Sequence, residues 1–227
     1  MTDLSIHYSS VKEYKKKLLK EELAHFDAAV KKSFFIYKKF TEFFHNKNIL
    51  DYGCSIGFTS WAFSLFCKST HCYDPNPNCE FVFRQNNNNN EKLKWVDVKT
   101  LQNTHYDTVF IYGVHNGHPH PHKLIEEFVN SVSFDYLIIG DSDAKIDDNS
   151  SKFDPIEKKR RIISGQSAIY TYSLHSISLT HIDDCIPKVS NLKILRREHD
   201  LLFPSQGFTG QLKQQDQKNI IYVCKKL

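Results

Sequence analysis

The stretch Ile49-Leu-Asp-Tyr-Gly-Cys-Ser-Ile-Gly-Phe-Thr-Ser-Trp-Ala-Phe63 constrains the chain more than any other. It opens as a short apolar run of strand type. It then meets two glycines four positions apart, Gly53 and Gly57, and resumes with helical spacing. A tight strand-to-helix turn joins such segments, and glycine supplies the positive φ that turns of this kind require. Such a turn either reverses the chain or is bent to hold a ligand against the backbone.

The same change of period recurs downstream. Asn48–Tyr52, Thr70–Asp74, Leu93–Asp97, Tyr106–Tyr112 and Phe134–Gly140 read as strands. Residues 57–67 and 121–131 read as helices, 78–85 as a short helix, and the asparagines at 86–90 as a solvated loop. Strands alternating with helices predict an α/β fold: a doubly wound, mostly parallel sheet with helices on both faces. Two later strands, near 192–200 and 219–224, lack a helix between them and predict an antiparallel pair at one edge. Residues 141–190 lack a clear period and read as a substrate-side insert with a helix near 155–164.

Ahead of the first strand, Leu19, Leu23, Phe26, Val30, Phe34 and Tyr37 step by three or four. That spacing places them on one face of a helix over 10–45. Residues 1–45 are therefore expected to form an N-terminal helical arm that covers a sheet edge or lids a pocket, with 46–227 as the main domain.

Length and composition narrow the class. The 227 residues suffice for one sizeable α/β domain, and 40% apolar content supports a packed core. No apolar run reaches membrane length and no charged-then-apolar leader opens the chain, so a soluble, cytoplasmic protein is expected. The six cysteines form no C-x-x-C pair, which predicts reduced thiols. The net charge of +4 is too small for a nucleic-acid footprint by itself, although Lys15-Lys16-Lys17 and Lys158-Lys159-Arg160-Arg161 are locally basic.

Ligands of parallel α/β sheets sit at the carboxyl ends of the strands. Three acids fall there in order: Asp51, then Asp74 twenty-three residues later, then Asp97. A carboxylate at the second strand end can accept both hydroxyls of a ribose, and one at the third can accept an adenine amino group. The glycine spacing, Asp51-x-Gly53-x-Ser55-x-Gly57, is not the G-x-G-x-x-G of a dinucleotide site.

Asp51-Tyr-Gly-Cys-Ser-Ile-Gly57, Cys72-Tyr-Asp74 and Trp95-Val-Asp97 together resemble the class I S-adenosylmethionine-dependent methyltransferases. The resemblance spans about residues 48–140 and implies a seven-stranded sheet with an antiparallel final strand. It implies S-adenosylmethionine as cofactor, with Gly53, Ser55 and Gly57 beside its amino-acid end, Asp74 on the ribose and Asp97 near the adenine. Ser55 stands where that family often has glycine. The Asn-Pro-Pro-Tyr and Pro-Cys signatures of base methylation are missing after the fourth strand, where Gly113-Val-His-Asn-Gly-His-Pro-His-Pro-His122 stands instead. The implied reaction is methylation of a hydroxyl on a small molecule or glycan. The alternatives are an RNA or cap methyltransferase, or a catalytically silent donor-binding partner subunit.

A hydroxyl acceptor must lose its proton, and a histidine titrating near neutrality suits that task. His115, just past the fourth strand, is the first candidate base and His118 the second. Asp141 and Asp143, after the fifth strand, are candidate ligands for Mg²⁺, which some O-methyltransferases of this fold use to hold a hydroxyl pair.

Overall fold

In the computed structural model, which describes residues 7–87, 90–114, 121–142, 182–204 and 216–227, the 49–63 stretch is a strand, a turn and a helix. Strand β1 (Asn48–Tyr52) ends at the turn, and helix α4 (Phe58–Ser64) begins directly after Gly57. Three helices precede them: α1 (Tyr8–Lys15), α2 (Lys20–Lys39) and α3 (Thr41–Phe44). After α4 come β2 (Ser69–Tyr73), α5 (Pro77–Asn87), β3 (Leu93–Trp95), α6 (Val98–Asn103), β4 (His105–Tyr112), α7 (Pro121–Ser131) and β5 (Ser133–Ser142). A one-turn helix α8 (Ile182–Cys185), β6 (Leu192–Pro204) and β7 (Asp216–Lys226) complete the described chain.

The seven strands form one sheet in the order β3-β2-β1-β4-β5-β7-β6. Strands β1 to β5 pair in parallel, and β7 runs antiparallel to both β5 and β6. The antiparallel strand thus lies one place in from the edge, which β6 occupies. The chain order reverses direction across the sheet between β1 and β4, and the tips of these strands flank the crevice where such sheets bind ligands.

Alternation along the strands divides the core. Leu50, Val109, Ile111, Leu137 and Ile139 face Ile125, Phe128 and Val129 of α7. Ile49, Phe110, Ile138, Ile221 and Val223 face Ile36 of α2, Phe40 between α2 and α3, Phe44 of α3 and Phe63 of α4. Both sheet faces are therefore covered, as the apolar runs of the central strands require.

The N-terminal segment departs from a single helix over 10–45. It breaks at residues 16–19, where the Leu19 N–H is taken up by the Glu22 carboxylate at 2.9 Å. The break lets α1 fold back on α2, stacking Tyr14 on Phe26 at 4.9 Å and against Trp61 at 4.4 Å. Tertiary packing of aromatics outweighs helical continuity here. Leu19, counted in the apolar stripe, lies exposed at the tip of this hairpin, whereas Phe26, Val30 and Tyr37 are buried.

The asparagine run also departs from a solvated loop. Asn86 and Asn87 close α5, and Asn87 is buried, donating to the Phe83 carbonyl at 2.9 Å and accepting from the Tyr14 hydroxyl at 3.0 Å. The third strand stops at Trp95 rather than Asp97, because Asp97 starts α6 instead. The insert at 141–190, with the helix expected near 155–164, lies outside the described residues except at its two ends.

Candidate functional site

The turn after β1 consists of five residues with two left-handed glycines, Gly53 at φ 75° and Gly57 at φ 85°, and a left-handed serine, Ser55 at φ 53°. The amides of Gly53 and Cys54 both donate to the Tyr73 carbonyl, at 2.7 and 3.1 Å, so the turn is laid across the tip of β2. The glycines do more than free the backbone. A Cβ at Gly53 would stand 2.2 Å from Val114, and one at Gly57 would stand 2.4 Å from the Phe83 ring. Close packing of the protein on its own turn therefore demands glycine at both positions, which differs from an expectation based on ligand approach alone.

Asp74 follows β2 and grips this turn. Its Oδ2 accepts from the Ser55 amide at 3.0 Å and its Oδ1 from the Asn76 amide at 2.9 Å. Burial raises its pKa, and the bonds from Asn76, Ser55 and the Cys79 thiol oppose that rise. Asp51, the fourth residue of β1, is buried and accepts from the Ser60 hydroxyl of α4 at 2.5 Å. Burial pushes its pKa up to about 6, with the charge of Asp74 adding to the rise and Ser60 and Lys32 opposing it.

Asp97 lies one strand further out, exposed, and caps α6 by accepting from the Thr100 amide at 2.7 Å. The Thr100 side chain, and then its amide, hold the Asp97 pKa below the usual carboxylate value. The structure thus brings Asp51, Gly53, Ser55, Gly57 and Asp74 together around one turn and sets Asp97 at the neighbouring tip.

The candidate bases His115 and His118 lie outside the described residues, as does Asp143. Asp141 is described, and is buried at the end of β5. Among the described residues no group of three His, Cys, Asp or Glu side chains is placed to hold a metal ion. The Asp141 surroundings include the Lys32 ammonium, whose charge interacts with it. A cation near this carboxylate is the reverse of the oxygen-rich shell that Mg²⁺ takes. The described residues do not fit a Mg²⁺ site, and no step is assigned to that ion.

Lys32 itself was not singled out by sequence reasoning. The signal was present: Lys32 stands three residues after Ala29 and four before Ile36, on the buried side of α2. Its ammonium lies over the Tyr112 ring, 4.4 Å from the centroid, at the tip of β4. Ser60, Tyr112 and Asn219 were also missed. The Tyr112 hydroxyl donates to Asn219 of β7, which in turn donates to the Leu201 carbonyl at 3.0 Å, tying the fourth strand tip to the far edge.

A cavity of about 380 Å³ lies at the opposite pole of the sheet, lined in part by His7, Tyr37, His45 and Lys92. It adjoins the beginnings of β1, β2 and β3 rather than the tips that carry the three acids.

This sheet order, with the glycine turn at the switch point, is the Rossmann-like fold of the class I S-adenosylmethionine-dependent methyltransferases. Solved structures of such enzymes superpose on most of the chain. Coclaurine N-methyltransferase, solved with N-methylheliamine and SAH, is 10% identical at a TM-score of 0.58, over 88% of this chain and 73% of that one. Magnesium protoporphyrin IX methyltransferase from Synechocystis, solved with SAH, is 11% identical at a TM-score of 0.54, over 98% and 97%. The 16S rRNA methylase ArmA is 14% identical at a TM-score of 0.51, over 96% and 97%. No family model and no curated protein sequence matches the chain. Likeness at this identity defines the fold, and the named neighbours act on unrelated acceptors. Among the described residues no helix is long and apolar enough to cross a membrane.

Proposed function

We propose that this protein is an S-adenosylmethionine-dependent methyltransferase acting on a hydroxyl of a small molecule or sugar in the cytoplasm. The observation that supports it most is Asp74, an acid at the second strand tip whose carboxylate is anchored to the Ser55 amide of the glycine turn. Its roughly four lone-pair sites are not exhausted by Ser55, Asn76 and Cys79, so it retains capacity for a ribose hydroxyl. Asp97, exposed at the neighbouring tip, is the proposed acceptor for an adenine amino group.

The donor supplies an activated methyl group on a sulfonium. What the chain must add is placement, and well-oriented reactants lower a barrier by about 7–11 kcal/mol in favourable cases. His115, one residue beyond the described end of the β4 segment, is the proposed proton acceptor, and His118 its alternate. With the donor bound, this histidine would take the proton of the acceptor hydroxyl as the methyl group passes to that oxygen and the donor is left as a neutral thioether.

The nucleic-acid reading rests on the basic runs. In the structure Lys15 pairs with Asp27 and Lys16 with Glu13, each at 2.6 Å. Exposed pairs are weak in stability, yet they offset charge where a phosphate backbone would need it. That favours the small acceptor.

Calorimetric titration of S-adenosylmethionine and of NAD into the native protein and an Asp74→Ala form tests the donor site. Native binding of the first alone, lost in the variant, is expected; NAD binding without donor binding would overturn the reading. Transfer of labelled methyl to low-molecular-weight hydroxyl compounds, with RNA in parallel, then tests the acceptor. Transfer to RNA alone would replace the small-molecule assignment, and donor binding without any transfer would favour the silent-subunit reading.

A further inference from the structure

We propose that the cavity at the amino-terminal pole of the sheet, lined by His7, His45, Asn46 and Lys92 among others, binds a small phosphate monoester with an apolar body. The inference does not rest on the donor-site reading above, because this pole lies at the far end of the sheet from the strand tips.

The entries to three neighbouring strands assemble the site. His45 and Asn46 precede β1, Leu65, Phe66 and Cys67 lie between α4 and β2, and Lys92 precedes β3. Backbone bonds knit these entries together. The Asn46 amide donates to the Phe66 carbonyl at 3.2 Å, that of Lys68 to Lys47 at 2.9 Å, and that of Thr70 to Lys92 at 2.7 Å. Helix α2 adds Tyr37, whose ring stacks on Phe66 at 4.1 Å, and His7 meets the same Phe66 edge-on at 5.1 Å. Sheet and helix packing thus fix the walls before any ligand arrives. The volume of about 380 Å³ falls within the roughly 300–1,000 Å³ of small-molecule pockets.

The lining selects the charge of the ligand. Among the described residues no aspartate or glutamate lines this cavity, and Lys92 belongs to none of their ion pairs. Burial lowers the His7 pKa and the Lys92 charge lowers it further, so His7 is a neutral N–H donor at pH 7. Burial pushes the Cys67 thiol up to about 12, against the pull of Thr70 and Lys92. The Lys92 charge therefore reaches two walls of the cavity. The Tyr37 hydroxyl engages His45 at Nδ1, at 2.9 Å, which leaves Nε2 to a ligand. A cleft lined by one sign of charge focuses its field on counter-ions. Ammonium, imidazole and amide donors from separate segments suit the three acceptor oxygens of a phosphate monoester. Leu65, Phe66 and Cys67 form an apolar wall that inorganic phosphate would leave unused. The carboxyl end of α4 opposes an anion, but that helix has only seven residues and the Phe66 carbonyl just beyond it is taken by Asn46.

Phenyl phosphate, inorganic phosphate and phenol, titrated by calorimetry into the full chain, make the test. The native protein should bind phenyl phosphate saturably and more tightly than either of the other two. Lys92→Gln should weaken phenyl phosphate binding by roughly tenfold or more, through loss of one charge-assisted bond. Lys68→Gln removes a nearby lysine that does not line the cavity, and should leave the affinity unchanged. Both lysines are exposed, so neither substitution removes core packing. Absence of saturable binding, or equal affinities in the native and Lys92→Gln forms, would overturn the assignment. Equal losses in the two variants would overturn it too, since general charge would then hold the probe. Phenol binding as tightly as phenyl phosphate would reduce the site to an apolar cleft. Inorganic phosphate binding as tightly would leave the apolar wall without a role, and either result overturns the ligand class.

Discussion

Asp51 shows how a single side chain ties the turn to the stability of the whole. Its carboxyl is buried under the glycine turn, and that burial moves its pKa from 3.8 to about 6. Between these values the folded protein holds a proton that the unfolded chain has released. Stability contributed by this group therefore grows as pH falls from about 6 toward 4, and above about 6 the buried charge is a cost. The full excursion amounts to about 3 kcal/mol. Denaturant titrations of the native protein and Asp51→Asn should show their stability difference moving in the native protein's favour over that window. A difference that stays flat from pH 7 to 4 would mean the carboxyl does not titrate as a buried acid. Ser55 makes a second residue-scale case. It holds φ 53°, where a β-branched side chain is strained. Ser55→Val should lose about 1–3 kcal/mol by denaturant melting, whereas the Asp74 bond to the amide at this position remains available to either residue.

Among the elements, the N-terminal helices carry more of the core than an appended cover would. Phe26, Ile36, Phe40 and Phe44 have no exposed surface, and the Phe44 ring stacks on Phe63 at 4.7 Å. Phe44→Ala should therefore cost about 3–5 kcal/mol, as large aromatic deletions in packed cores do, measured by urea unfolding. A loss under 1 kcal/mol would show α3 to be a detachable cover. The stripe from Phe26 to Tyr37 was legible because helical periodicity survives any tertiary arrangement. The break at 16–19 was not, because it is decided by Tyr14 meeting Trp61 and Phe26, contacts no local pattern records. Asp97 carries two assignments that substitution separates. Its carboxylate caps α6, so Asp97→Asn should keep that helix while Asp97→Ala loses about 1 kcal/mol. Equal stabilities of the Asn and Ala forms in thermal melts would show that the cap contributes nothing.

Across the whole molecule, the parallel core was readable because each strand-helix alternation leaves a change of period in the sequence. The acids at the strand tips were readable for the same reason: once a strand end is located, the next residue is at the crevice. What the sequence hid was proximity across distance. Val114 against Gly53, Phe83 against Gly57 and Lys32 over Tyr112 join positions 26 to 80 residues apart. The insertion of β7 between β5 and β6 was hidden likewise, since a hairpin's order in the sheet depends on which strand finds the open edge of β5. These long-range contacts converge on the β1–β4 corner, so occupancy there should stabilise the entire sheet rather than a local loop. At a donor concentration a hundredfold above the dissociation constant, binding adds about 2.7 kcal/mol to the folded state. For a chain of this size each kcal/mol raises Tm by about 2–4 °C, so S-adenosylmethionine should lift the melting temperature by roughly 5–10 °C. Asp74→Ala should lose most of that shift, because its carboxylate, which also accepts from the Ser55 and Asn76 amides, is the proposed ribose contact. A shift of equal size in both proteins would place the bound molecule somewhere other than the tip of β2, and the assignment of Asp74 would fall with it.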